Sequence, residues 1–224
     1  MTVVLGIETA TPVCSVGLAR TDGPDAEISV EAANAAAERL PDCVHSVLSA
    51  AGLTPASLDG VAVSIGPGSY TGLRIGLSFA KGLCFAAGKP IVAVPTMDAW
   101  VRLAPAVQPA ACVLMHSRKG EVFRAVYRAV SGRWEKLGGF EAVPVEGLAG
   151  GLPAGPVLFL GDGSLKHREA ITRMRPDARF PEGADPNPSG AKVAEVGLEI
   201  LAAGGAADLD ALSPMYLQNF QGMP

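Results

Sequence analysis

The sequence predicts an α/β protein in two lobes, each a mixed sheet flanked by helices. Three observations carry that prediction. Short apolar runs of strand length recur in both halves of the chain, several segments space their apolar residues at helical period, and a glycine-rich turn joins a strand directly to a helix at 65–76.

The first residues read as three consecutive strands at 3–7, 13–19 and 27–31, joined by short connections at 9–12 and 22–24. Leu40, Val44, Val47, Leu48 and Ala51 then fall at helical spacing and place a helix over 38–51, with Pro41 in its first turn and Gly52 at its end. A strand at 61–65, a proline-free helix at 71–87 and a strand at 91–94 follow. Three strands, helix, strand, helix, strand is the order of a ribonuclease H-like lobe. From about residue 104 proline and glycine become frequent and the strands are short, at 112–115, 122–128, 133–137 and 157–160. The expected division is therefore a lobe at 1–103 and a smaller, degenerate one at 104–224. A helix over about 164–174 and a linker at 181–188 precede a last helix, capped by Ser189, in which Val193, Val196, Ile200 and Leu201 share a face. The tail 214–220 is too apolar for a free end, so it and the last helix are candidates for packing back on the first lobe.

Gly66 and Gly68 permit backbone conformations closed to other residues, and Ser69 or Thr71 is placed to cap the helix that follows. Gly72 is followed by Leu73 and Arg74 rather than by Lys and a hydroxyl residue, so the loop is neither a Walker loop nor a dinucleotide fingerprint. Two readings stay open. One is a weak nucleotide or anion site made by Glu8, Thr9, Gly66, Gly68, Ser69 and Thr71. The other is a tight turn that lets the helix approach the sheet. Within the helix, Gly72, Gly76, Ala80, Cys84 and Gly88 recur every fourth residue, a ridge that another element can approach closely.

No catalytic set can be assembled. His45, His116 and His167 stand in no metal-binding pair, and no G-x-S-x-G elbow is present. Cys14, Cys43, Cys84 and Cys112 are widely spaced in apolar contexts and read as buried thiols of a cytoplasmic protein, not as a zinc or disulfide framework. No membrane span or leader is expected. A net charge of −4 argues against binding nucleic acid alone through a basic surface. Lys166, Arg168, Arg173, Arg175 and Arg179 form the one basic concentration, read as a solvated helix face, with contact to RNA or an acidic partner as the alternative.

Gly6-Ile7-Glu8-Thr9-Ala10-Thr11, the 65–76 segment, Gly120-Glu121-Val122-Phe123 and Pro214-Met215-Tyr216-Leu217 together resemble the TsaB (YeaZ) family of tRNA threonylcarbamoyladenosine biosynthesis proteins over nearly the whole chain. The resemblance implies two lobes of the actin, sugar-kinase and chaperone-ATPase superfamily. It implies a non-catalytic partner of the transferase TsaD, acting with the ATPase TsaE, in the complex that places threonylcarbamoyl on N6 of adenosine 37 in tRNAs reading codons that begin with A. Contact with TsaD would run through helices 38–51 and 71–87, which points to Leu40, Val44, Val47, Leu48, Gly72, Arg74, Gly76, Ala80 and Cys84 as partner-binding residues. A homodimer through the same face is a further partner, tRNA is reached only through the complex, and no cofactor beyond weak or shared nucleotide binding is implied. The chain departs from the family pattern at Ala36 and at His116-Ser117-Arg118. The alternative is a stand-alone ATP-dependent phosphotransferase or a glycoprotease-like peptidase.

Overall fold

The first strand, β1 (Val3–Glu8), is buried along its whole length because helices cover both faces of its sheet. The computed structural model describes residues 1–22, 26–32, 35–117, 120–182 and 187–217. They fall into two units, Met1–Ala99 with Pro188–Met215 and Trp100–Asn187 with Tyr216–Pro224.

In the first unit β1 pairs antiparallel with β2 (Val13–Arg20), which pairs antiparallel with β3 (Ala26–Glu31). On its other side β1 runs parallel to β4 (Gly60–Gly66), and β4 to β5 (Ile91–Pro95), giving the order β3-β2-β1-β4-β5. Alternation along β1 sends Val3, Leu5 and Ile7 toward α1 (Ala36–Ala50) and α2 (Tyr70–Ala87), where they meet Leu40, Val44, Leu77 and Ala80. Val4, with Ala62, Val92 and Val94, faces the opposite way. A short helix, α3 (Thr96–Trp100), follows β5.

The second unit carries β6 (Ala110–His116), β7 (Glu121–Val130), β8 (Arg133–Pro144) and β9 (Val157–Leu160) in the order β8-β7-β6-β9, antiparallel except for the parallel pair β6/β9. Its core gathers Cys112, Leu114, Val122, Phe159 and Ile171. Helices α4 (Asp162–Lys166) and α5 (Arg168–Met174) follow β9. Both units are mixed sheets flanked by helices, the α/β class that the sequence predicts, the second with one strand fewer.

The last helix, α6 (Gly190–Ala202), belongs to the first unit, covering the sheet face opposite α1 and α2 through Val193, Ala194 and Val196. It lies close because Gly6 and Gly17, opposite one another in the ladder, have no Cβ. Side chains there would collide with the backbones of Gly190, Ala191 and Ala194. From α6 to Met215 the polypeptide stays on this unit: Ala207 N–H donates to Ile91 O at 2.9 Å and Met215 N–H to Ile65 O at 2.7 Å.

Three elements differ from the sequence expectation. Helix α1 starts at Ala36, so Pro41 lies inside it rather than in its first turn. Strand β8 runs to Pro144 instead of ending at 137, because a register shift opposite Arg124 and Val126 absorbs Gly138, whose φ is +79°. The helix expected over 164–174 is two helices that meet at His167.

Candidate functional site

The loop after β4 is closed by the protein's own chain. Gly66, at φ +120°, has the Met215 carbonyl 2.6 Å from where a Cβ would stand, and Gly68 has Ala10 at the same distance. Ser69 N–H donates to Ala10 O at 2.8 Å, and Ser69 Oγ accepts from Gly72 N–H at 3.2 Å, so Ser69 is the cap and Thr71 is not. Close approach of neighbouring backbone therefore accounts for these glycines, in agreement with the tight-turn reading.

Glu8, at the end of β1, is fully buried. Its Oε2 accepts from Ser64 Oγ and its Oε1 from Ala10 N–H at 2.5 Å. Burial pushes its carboxyl up to about 7, against the lowering effect of those two hydrogen bonds. Thr9, also buried, donates from Oγ1 to Gly72 O at 2.7 Å. Glu8 and Thr9 thus tie β1 to β4 and α2. Of the six residues proposed for an anion site, only Ser69 and Thr71 are exposed.

The ridge on α2 faces inward. Gly72, Gly76, Ala80 and Cys84 are buried, and Cβ atoms on the two glycines would run into Thr9. Leu40, Val44, Val47 and Leu48 are buried in the same core. Eight of the nine residues expected to touch a partner therefore hold the unit together, and the expectation that the ridge itself meets another protein is corrected. Arg74 alone among them is exposed.

The outward face of α2 is offset from the ridge by one or two positions. Thr71, Arg74, Ser78, Gly82 and Phe85 are all exposed, Phe85 by 82%. At the amino-terminal end of this face an open groove of about 640 Å³ separates α2 from α1. Ala37, Tyr70, Ile75 and Phe79 line it with Arg74, and Leu40 forms part of its lining. The Arg74 guanidinium lies 3.8 Å from the centroid of the Tyr70 ring, which holds a charge at the groove without sending it into solvent alone. Sequence reasoning did not select Ala37, Tyr70, Ile75, Ser78, Phe79 or Phe85. The signal was there in the spacing 71, 74, 78, 82, 85, the complement of the glycine ridge.

Among the described residues no group of three or more His, Cys, Asp and Glu side chains is arranged to hold a metal ion, and no helix is long and apolar enough to cross a membrane. All four cysteines are buried and unbridged.

The family model for the tRNA N6-adenosine threonylcarbamoyltransferase TsaD matches residues 30–200. The tRNA threonylcarbamoyladenosine biosynthesis protein TsaB of Bacillus subtilis is 29% identical over 218 residues, 96% of this chain and 93% of that one. The TsaB of Escherichia coli is 33% identical over 134 residues, 58% of each. A crystal structure from Pseudomonas aeruginosa, described as an uncharacterized protein with similarity to peptidase YeaZ, superposes with a TM-score of 0.86 at 26% identity, covering 97% of this chain and all of that one.

Proposed function

The chain belongs to the TsaB (YeaZ) family of tRNA threonylcarbamoyladenosine biosynthesis proteins, and from that premise we propose that it is a non-catalytic partner of the transferase TsaD. In this reading TsaD carries the chemistry at N6 of adenosine 37, and this chain binds and holds TsaD in its competent state. TsaE joins the same complex, and the chain needs no cofactor of its own.

The observation that carries the reading is the open groove between α1 and α2, continued along α2 to Phe85. Apolar side chains at Ile75, Phe79 and Phe85 with an aromatic-stacked arginine are the composition of a protein interface core. The burial of Glu8 and the closure of the loop by Ala10 and Met215 weigh against the stand-alone phosphotransferase, which would need a carboxylate and free amides open to a nucleotide.

The test is size-exclusion chromatography with light scattering on the chain alone and mixed with its cognate TsaD, followed by tRNA modification assays with and without it. The expected result is a heterocomplex, and modification that depends on this chain. Modification that proceeds unchanged when the chain is omitted would reject the role. A homodimer through the same groove is the competing occupant, visible as about twice the 22.8 kDa monomer mass when TsaD is absent.

A further inference from the structure

The net charge of −4 averages over two unlike units. The unit of Met1–Ala99 and Pro188–Met215 carries 6 Lys and Arg against 13 Asp and Glu, a net −7, whereas the other carries 12 against 9, a net +3. The positive excess gathers on the α4/α5 face. Lys166, Arg168 and Arg173 are exposed there and form no ion pair among the described residues. Lys166 Nζ donates to the imidazole of the exposed His116, 3.2 Å from its Nδ1. Arg168 is held by stacking, its guanidinium 4.6 Å from the centroid of the Phe180 ring. Arg168 and Arg173, with Thr172 and the single carboxylate Glu169, line an open depression of about 520 Å³. Arg175 is excluded from the set, since it is paired with Asp177 and donates to Pro153 O and Gly155 O.

A solvated helix face ordinarily interleaves both signs and pairs them. Here Lys166, Arg168 and Arg173 outnumber the two carboxylates of α4 and α5, Glu169 and Asp162, whose Oδ1 accepts from His116 N–H at 3.0 Å, and none of the three cations is ion-paired among the described residues. Burial lowers the basicity of the His167 imidazole, Lys166 and His116 act in the same direction, and the Glu146 carboxylate opposes them. One arginine held in place by stacking, a second arginine and a hydroxyl around a shallow depression, with an exposed lysine on the helix before it, suit a row of phosphates rather than one buried anion.

We propose that Lys166, Arg168, Arg173 and His116 form a contact surface for the phosphodiester backbone of a folded RNA. The identification of that RNA as tRNA rests on the function proposed above. The contact adds affinity and register without reading bases, so its strength depends on salt.

The test measures binding of fluorescent tRNA to the full chain, alone and mixed with TsaD, between 50 and 200 mM salt on the order used for phosphate-dominated complexes. The variant Lys166→Glu with Arg173→Glu leaves the Arg168 stacking untouched, and Arg133→Glu, an exposed reversal elsewhere on the same unit, shows what one surface reversal does outside the patch. The double variant should lose about tenfold or more in affinity and flatten the slope of log K against log salt by about 2, with Arg133→Glu having a much smaller effect. Equal affinities of wild type and double variant, alone and in the mixture, overturn the proposal. Association with TsaD is read by chromatography on the same samples. If the double variant loses TsaD but keeps tRNA, the patch serves an acidic protein surface and the RNA assignment fails. If wild type never binds TsaD yet the tRNA difference persists, the partner role fails and the RNA contact stands.

Discussion

Thr9 Oγ1 occupies the space that a Cβ on Gly76 would need, while the same hydroxyl donates to Gly72 O at 2.7 Å. One side chain therefore sets how close α2 lies to β1 and also fixes its axial position. Helix and sheet meet here through a glycine and a hydroxyl rather than through interlocking apolar groups.

Gly76→Leu should consequently destabilise the chain itself. Overpacking of this kind costs about 1–3 kcal/mol, and here the added side chain meets that of Thr9, whose hydroxyl is already held by Gly72 O. Urea unfolding would show a lowered midpoint, and loss of partner binding by this variant would follow from the fold. A Gly76→Leu protein as stable as wild type would contradict the packing described.

Thr9→Val keeps the shape and removes the hydrogen bond to Gly72 O. The carbonyl is left in a buried setting, at a cost of about 1–3 kcal/mol. Ser69→Ala, by contrast, removes only the cap on α2 and should cost about 1 kcal/mol. Comparing the two midpoints in one denaturant series checks the order as well as the sizes.

Glu8 links stability to pH. Its carboxyl titrates near 7 in the folded chain and near its ordinary 4.5 when unfolded, so between those values the folded state holds the proton that the unfolded state has released. Stability is then highest below pH 4.5 as far as this group is concerned, falls as pH rises from 4.5 through 7, and is level above. The full span corresponds to about 3 kcal/mol. Urea midpoints from pH 4.5 to 8 should show the decline in wild type and a clearly weaker one in Glu8→Gln. Parallel curves for the two proteins would rule out Glu8 as the source.

Arg74→Glu tests the partner face with little risk to the fold, because the side chain is exposed and lines the groove. Affinity for TsaD should fall at least about tenfold, the loss expected for a central interface arginine, with the thermal midpoint nearly unchanged. Phe85→Ser should act in the same direction. Wild-type affinity in both variants would move the contact off the outward face of α2.

Much of the architecture was legible in local sequence. The strand and helix positions and a cap at Ser69 or Thr71 follow from apolar period and from the chemistry of single residues. The end of β8 was not legible, because Gly138-Gly139 signals a break and only pairing with β7 shows that the ladder continues past it. Helix α1 was displaced by two residues because alanines at 36 and 37 carry no signal for a start. The residues named for a partner were misassigned for a sharper reason. A row of small side chains says that something comes close, and says nothing about whether it is a sheet of the same chain or another protein.

What the sequence by itself determined is the set of elements, their order and the family, since these rest on patterns a few residues long and on one long, specific loop motif. Tertiary structure alone decided which stripe of α2 is covered, by setting Thr9 and Ala10 beneath Gly72, Gly76 and Gly68. It also assigned α6 to the first sheet, where Gly6 and Gly17 leave room for it, and with that assignment separated an acidic unit from a basic one. Burial and charge are properties of surfaces, and a surface exists only once residues far apart in the chain have been brought together.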